Sequence, residues 1–329
     1  MKRLLRFCRR ALLTLAALAA TLAVLFVWLV YTPAAQLPAL AGTLGRASID
    51  VDGIRRSYQI YLPRGLPQGA PLLLVLHGSG GGATQIRQET GYAFERLADR
   101  QAFAVAFPNA IDGYWDVCNV VGDVGTNGID DVKFLGALVD KLVAETGIDA
   151  RRVFAAGSSR GGSMALRLAL EAPSKFRAIA AISSSVPTPD NFKCKPAAGT
   201  SSASGTSSVL IMNGTDDPLV PFDGGEVSLF GLLYKNGAVR SSRASAQYFA
   251  DLNHLAGEPA MRETPVADGV RIEQLLWRAD AGVEVELAAI HGAGHGMPQP
   301  YRRRPRLLGP SPAQPNGAEL IWEFFARQR

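Results

Sequence analysis

The chain has 329 residues, of which 47% are hydrophobic and 19% charged, with 34 Gly, 20 Pro and three Cys. This composition excludes a disordered tail, a coiled coil, a collagen-like rod and a small disulfide-stapled scaffold. The formal charge of +5 is an N-terminal property, because five basic residues lie in the first ten and the remaining chain has 29 basic and 29 acidic residues. The charge distribution therefore does not support a nucleic-acid-binding function.

The amino terminus joins a basic segment, residues 1–10, to an uncharged apolar segment, residues 11–31. As a helix the apolar segment spans about 31 Å, the thickness of a bilayer core. The positive charges before it predict a cytoplasmic amino terminus and an exported body, periplasmic or extracellular. We favour an anchor that stays in the inner membrane, with a cleaved signal as the alternative. Residues 32–45 are interpreted as a linker and residues 46–329 as one folded domain.

Short apolar runs alternate with helical periodicity in the body. The runs are uniformly apolar, which predicts strands buried on both faces of a parallel sheet; they are residues 72–76, 103–107, 153–156, 178–182 and 209–212. Helical spacing is found over residues 131–146, 162–171 and 316–328. The alternation predicts an α/β fold with helices on both faces of a mostly parallel sheet.

Two further segments have distinct patterns. Residues 57–62 alternate between polar and apolar, which predicts an antiparallel edge strand. Residues 195–208 almost lack bulky apolar side chains, which predicts a flexible surface insertion.

The sharpest local motif is Gly-Ser-Ser-Arg-Gly at residues 157–161, after a predicted strand and before a predicted helix. A G-x-S-x-G sequence in that setting is typical of a nucleophile elbow, where a tight turn exposes the central serine, here Ser159. The backbone N–H of Arg160, at the helix start, would point at a developing oxyanion. Alone, such a pentapeptide also fits an ordinary glycine-rich turn.

Glycines follow the early strand at 72–76, in the sequence His-Gly-Ser-Gly-Gly-Gly at residues 77–82. Unobstructed N–H groups there fit the other half of an oxyanion hole, with the backbone of Ser79 or Gly80 as donor. His77 is interpreted as a structural residue at the strand end.

A catalytic serine needs a base and an orienting carboxylate, which this fold supplies in the order serine, acid, histidine. Asp217, before Pro218, is the predicted acid, with Asp216 as the fallback. The predicted base is His295, on a glycine-flanked loop, in preference to His291 at the strand end or His254 in a helical stretch.

Three cysteines suit neither a metal cluster nor a disulfide framework. Cys118 and Cys194 lie in the exported body, where they can pair, and two unpaired buried thiols are the alternative. Arg302, Arg303, Arg304 and Arg306 fit either a solvated basic loop or a contact with an anionic substrate or lipid headgroups.

Together these motifs resemble the polyhydroxybutyrate depolymerase and feruloyl esterase (LpqC-like) group of α/β-hydrolases. The resemblance covers residues 46–325 and rests on segments 72–81, 130–142, 151–169, 213–225 and 283–298. It implies the triad Ser159, Asp217 and His295, which needs no cofactor and no metal. The family often has Trp where this chain has Met297, so we expect a differently shaped pocket. Trp115 is a candidate to line the substrate cleft, and a core aromatic residue is the alternative interpretation.

The resemblance implies a serine esterase that acts on hydroxyalkanoate oligomers. The apolar amino-terminal segment predicts that the esterase is exported, and we expect it to be a monomer. Its partners would be the ester substrate and the membrane. Feruloyl or acetyl esters on polysaccharide are the alternative substrates. A catalytically silent, membrane-tethered binding module is the alternative from another class.

Overall fold

A computed structural model describes residues 2–121, 129–194, 207–229, 231, 233–266, 269–279 and 282–328. Helix α1 (Lys2–Val30) comes first. Residues 3–30 are long and apolar enough to cross a membrane, with a mean hydropathy of 2.5 in the most apolar window, none of which is buried in the protein. The helix therefore fits a signal or a membrane anchor.

A ten-stranded sheet forms the centre of the body. In spatial order its strands are β1 (Thr43–Val51), β2 (Ile54–Leu62), β4 (Ala104–Pro108), β3 (Leu72–Leu76), β5 (Val153–Ser158), β6 (Ala178–Ile182), β7 (Ser208–Gly214), β12 (Glu284–His291), β11 (Arg271–Arg278) and β10 (Ala260–Pro265). The six strands from β4 to β12 are parallel to one another, and the two strands at each edge pair antiparallel. A separate hairpin pairs β8 (Gly225–Glu226) with β9 (Ala238–Val239).

Helices cover both faces of the sheet. They are α2 (Ala83–Glu89), α3 (Ala93–Gln101), α4 (Asp131–Thr146), α5 (Arg160–Glu171), α6 (Ser242–Leu252) and α7 (Gly317–Ala326). Side chains of β3 alternate between the two cores, because successive residues of a strand point to opposite faces. Leu72, Leu74 and Leu76 pack with α4, α5 and α6, whereas Leu73 and Val75 pack with α2, α3 and α7.

The predicted α/β class is confirmed, and the five buried runs form strands within two residues of the predicted bounds. Uniformly apolar strands were identifiable because both of their faces are covered.

Three sequence interpretations need correction. The segment 57–62 lies in β2, which is not an edge strand, because β1 pairs along its outer side. Strand β1 begins at Thr43, which lies inside the segment 32–45 that is interpreted from the sequence as a linker. Ser208 is buried at the start of β7, so it is not part of a surface insertion, while residues 195–206 lie outside the described residues.

A disulfide joins Cys118 to Cys194 across 76 positions of sequence. Around it the two segments run side by side, with an isolated bridge between Asn119 and Phe192. The amide of Lys193 donates to the Cys118 carbonyl at 2.9 Å. The disulfide therefore closes a long loop that contains α4, β5, α5 and β6.

Replacing both Cys118 and Cys194 with alanine is expected to lower the free energy of unfolding by about 2–5 kcal/mol, because the unfolded chain regains the entropy of a long loop. Chemical unfolding of the detergent-solubilised chain, followed by tryptophan fluorescence, measures the loss. The matched control is Cys8→Ala, which removes an exposed free thiol. Equal unfolding midpoints for the double variant and the native chain would contradict this prediction.

Candidate active site

The candidate site lies at the carboxyl edge of the parallel strands. Loops after β3, β5, β7 and β12 meet there, because parallel strands end on the same side of a sheet. They carry, in that order, residues 77–82, Ser159, Asp217 and His295.

Ser159 occupies a strained turn between β5 and α5. Its backbone has φ 56° and ψ −122°, in the left-handed half of φ space that residues other than glycine rarely adopt. Small neighbours make this turn possible: a Cβ on Gly157 would lie 2.0 Å from the Gly161 carbonyl oxygen, and one on Gly161 would lie 2.3 Å from the Leu76 carbonyl oxygen. The local geometry is that of a nucleophile elbow.

Asp217 and His295 form a buried hydrogen-bonded pair. Asp217 Oδ2 lies 2.8 Å from His295 Nδ1, and the two side chains are 1% and 5% exposed. The other carboxylate oxygen, Oδ1, accepts the amides of Leu219 at 2.8 Å and Val220 at 2.9 Å. The carboxylate is thus held in one orientation, and it fixes the imidazole with Nδ1 as donor and Nε2 as the nitrogen that can accept a proton.

The alternative acid and bases do not join this pair. Asp216 is exposed, and its carboxylate accepts a hydrogen bond from Thr215 Oγ1 at 2.8 Å. His291 lies 3.2 Å from Glu273 Oε2 on the neighbouring strand. His254 is exposed just beyond α6.

The turn after β6 connects the serine and histidine loops. Ser159 donates its backbone N–H to the Ile182 carbonyl at 2.8 Å, and the N–H of Gly296 donates to Ser183 Oγ at 2.6 Å. Within the described chain, no hydrogen bond joins the Ser159 hydroxyl to the His295 imidazole. Contacts of this kind often tighten only when substrate is bound.

The oxyanion loop differs in one respect from the sequence interpretation. The N–H of Gly80 donates to the Gly113 carbonyl at 2.9 Å, so it is occupied and is not a suitable oxyanion donor. Ser79 remains the candidate of this loop, and its hydroxyl contacts the Tyr234 hydroxyl. Arg160 begins α5, whose first-turn N–H groups point toward the site.

His77 has a structural position behind this loop. It is fully buried, with Nδ1 2.8 Å from the Gly78 carbonyl, and Nε2 accepts the Ala110 amide at 3.1 Å. These contacts define the neutral tautomer that donates from Nδ1. Burial lowers the pKa of His77, which agrees with a neutral ring.

We expect His77 to make stability depend on pH. The unfolded chain binds a proton at this residue below pH about 6.5, whereas the folded chain resists it, so stability falls as the pH drops below that value. The slope contributed by His77 approaches about 1.4 kcal/mol per pH unit until the lowered folded-state pKa is reached. Urea unfolding between neutral and mildly acidic pH measures it.

In His77→Gln this part of the slope should disappear, while the exposed-site control His254→Gln should retain the native slope. Identical pH dependence of the native chain and His77→Gln would refute the assignment.

The two residues expected to contact substrate are not placed to do so. Trp115 is fully buried and donates from Nε1 to the His77 carbonyl at 2.9 Å, beneath the oxyanion loop. Met297 is 1% exposed and packs in the core that contains α7, beside Gly317. Both are core residues, because helices and strands from several parts of the chain cover their apolar surfaces. The spacing of residues in the sequence does not reveal such packing.

A cleft beside Ser159 contains residues that the sequence interpretation missed. Its polar lining includes Asn119, Ser163, Ser184, Ser185 and Asn236, and its apolar wall is formed by valines at 220, 227 and 239. Tyr234 also lines it. Three consecutive serines after β6, residues 183–185, are the sequence signal that could have indicated it. The described residues contain no group of three or more His, Cys, Asp or Glu side chains suited to a metal ion.

The fold and this arrangement define an α/β-hydrolase. A solved structure of an acetyl xylan esterase from Aspergillus awamori shares the fold, with a TM-score of 0.55 over 78% of this chain and 94% of that one, at 17% identity. The sequence model of the family described as esterase PHB depolymerase matches residues 56–203.

Curated relatives agree with this class. A putative esterase, NocK, from Nocardia uniformis is 28% identical over 90% of this chain and 86% of its own length. A probable feruloyl esterase C from Aspergillus terreus is 29% identical over 52% of this chain, and the match spans 58% of that relative. The chain is a carboxylic ester hydrolase with an α/β-hydrolase fold, and its sequence is similar to the polyhydroxybutyrate depolymerase and feruloyl esterase group.

Proposed function

We propose that the chain is an exported serine esterase that cleaves carboxylic esters through an acyl-enzyme. The observation that carries the proposal is the buried Asp217–His295 pair at the sheet edge where the strained turn presents Ser159. Burial of two ionisable side chains costs free energy, and such buried pairs are often found at functional sites. Orientation of a general base accounts for this pair.

In the first step His295 Nε2 takes the hydroxyl proton of Ser159 as the oxygen attacks the ester carbonyl. Asp217 stabilises the resulting imidazolium, and His295 then gives the proton to the departing alcohol. In the second step the same nitrogen takes a proton from water as the water oxygen attacks the acyl-enzyme carbonyl. It then returns the proton to Ser159 Oγ as the bond between Oγ and the acyl group breaks and the acid leaves. The backbone N–H groups of Ser79 and Arg160 are the proposed donors to the oxyanion.

The side chains that line the cleft beside Ser159 are mainly polar, which favours a short, polar acyl group as the substrate portion bound there. Ser163 lies one helical turn after Ser159, and its hydroxyl is 2.9 Å from the Ser184 hydroxyl. The lining combines hydroxyls and side-chain amides with three clustered valines, and this mixture fits a hydroxyalkanoate unit, which has both polar and apolar character. We therefore propose hydroxyalkanoate oligomers as the substrate class.

Feruloyl or acetyl esters of polysaccharide are the second candidate, supported by the similarity to a probable feruloyl esterase. A substrate panel of p-nitrophenyl acetate and butyrate, 3-hydroxybutyrate oligomers and methyl ferulate distinguishes them. Preference for the oligomers by the ratio kcat/KM would support the first candidate, and preference for methyl ferulate would establish the second.

A catalytically silent binding module is the remaining alternative. Labelling of Ser159 by a fluorophosphonate would exclude it, because the reagent reports an activated serine. A folded chain that neither turns over any ester in the panel nor reacts with the fluorophosphonate would overturn the esterase proposal.

We also propose that α1 anchors the body outside the cytoplasm. The length of α1, its exposure and the basic residues at its amino end support that orientation. Protease protection of the amino terminus in sealed cells tests it.

A further inference from the structure

A basic segment without acidic partners follows the histidine loop. Arg302, Arg303, Arg304 and Arg306 lie in a stretch, between Glu286 and Glu319, that has no Asp or Glu. None of the four forms an ion pair with another described residue. Arg303 and Arg306 are exposed, whereas the Arg304 guanidinium nitrogens Nε and Nη2 are buried beside Gly296. Two cationic side chains thus remain at the surface.

The same segment touches the end of the candidate membrane helix. The Arg306 guanidinium lies 4.8 Å from the Trp28 ring centroid, and its Nη1 donates to the Trp28 carbonyl at 3.0 Å. Arg302 Nη2 donates to Thr32 Oγ1 at 3.4 Å. The segment and the last turn of α1 therefore form one surface.

Aromatic residues indicate the depth of this contact. Trp28 and Tyr31 are 53% and 66% exposed at the carboxyl end of α1. Trp and Tyr concentrate at the boundary between acyl chains and headgroups, so a helix crossing the bilayer would place these two rings at that boundary. An arginine stacked on Trp28 then lies at the depth of the lipid phosphates.

The basic segment is also bonded to the histidine loop. The amide of His295 donates to the Leu308 carbonyl at 2.7 Å, and the amide of Gly294 donates to the Pro310 carbonyl at 2.7 Å. If residues 302–310 bind the bilayer surface, the histidine loop is therefore held at a fixed distance from that surface.

We propose that Arg303 and Arg306 bind anionic phospholipid headgroups of the leaflet in which α1 ends, and that this contact holds the candidate site at the membrane surface. The inference goes beyond the proposed esterase activity and rests on α1 being retained as an anchor. Guanidinium groups bind phosphate through paired N–H donors, and an anionic leaflet attracts basic residues near its surface. Uncharged headgroups supply no such attraction.

Hydrogen exchange of the full chain in nanodiscs tests the proposal. Discs of phosphatidylcholine alone are compared with discs that also contain phosphatidylglycerol, with α6 as the internal reference. We expect amide exchange over residues 302–309 to slow by about fivefold or more when the anionic lipid is present. In about 1 M NaCl, where the screening length is about 3 Å, the difference should disappear.

The variant Arg303→Gln/Arg306→Gln should lose the lipid-dependent difference. Its matched control is Arg46→Gln/Arg262→Gln, which removes two exposed charges on the sheet edges β1 and β10 and should behave like the native chain. Hydrolysis of p-nitrophenyl acetate, measured on the same discs, separates a failure of docking from a failure of the esterase proposal.

Three results would overturn the docking proposal. They are equal exchange in both lipids for the native chain, an equal loss of protection in the control variant, and failure of the chain to enter the disc through α1.

Discussion

Ser159→Ala is expected to lower kcat by about three orders of magnitude or more while leaving the fold intact. The substitution removes the hydroxyl oxygen that we propose as the nucleophile, and alanine adds no bulk to the turn. Initial rates with p-nitrophenyl butyrate measure the loss, and circular dichroism checks the fold.

Ser158→Ala is the matched control, because Ser158 is the neighbouring serine and lies buried at the end of β5. It should keep most of the native rate. If Ser159→Ala retained native turnover, the proposed nucleophile would be wrong.

Asp217→Asn is expected to lower kcat by about four orders of magnitude. An asparagine can still accept the amides of Leu219 and Val220 through its oxygen, which directs its NH₂ group toward His295 Nδ1. His295 Nδ1 must then accept a hydrogen bond, so the imidazole carries its proton on Nε2. In that tautomer Nε2 cannot take the proton of the serine hydroxyl. Single-turnover kinetics with the same ester measure the effect on acylation.

Asp216→Asn provides the same change of charge one residue away, on an exposed side chain. We expect a nearly native rate from it. Loss of turnover in Asp216→Asn together with normal turnover in Asp217→Asn would reverse the assignment of the acid.

The sequence was most informative where local chemistry decides structure. Five buried strands were identifiable from uniformly apolar runs. The Ser159 turn was identifiable from its flanking glycines, and the pairing of Asp217 with His295 follows from the order of loops on parallel strands. The catalytic roles themselves stay predictions until the variants are measured.

Features that depend on contacts between distant segments were not identifiable. The outer strand β1 was missed because its exposed residues have no apolar periodicity, and its order comes from pairing with β2. Trp115 and Met297 looked available for substrate because burial is a property of the packed chain. Tyr234 contacts Ser79 although 155 positions separate them in the sequence, so no local sequence pattern could predict the contact.

The Cys118–Cys194 bond has a consequence for when the cleft is completed. Asn119, which lines the cleft, follows one of these cysteines directly, and its side-chain amide donates to the Asn236 carbonyl at 3.0 Å. A chain still in a reducing cytoplasm lacks that covalent closure, because disulfides persist only where the surroundings are oxidising. Under the export that we propose, the cleft gains this closure only after the chain has crossed the membrane, so ester bonds in the cytoplasm meet a protein that lacks it.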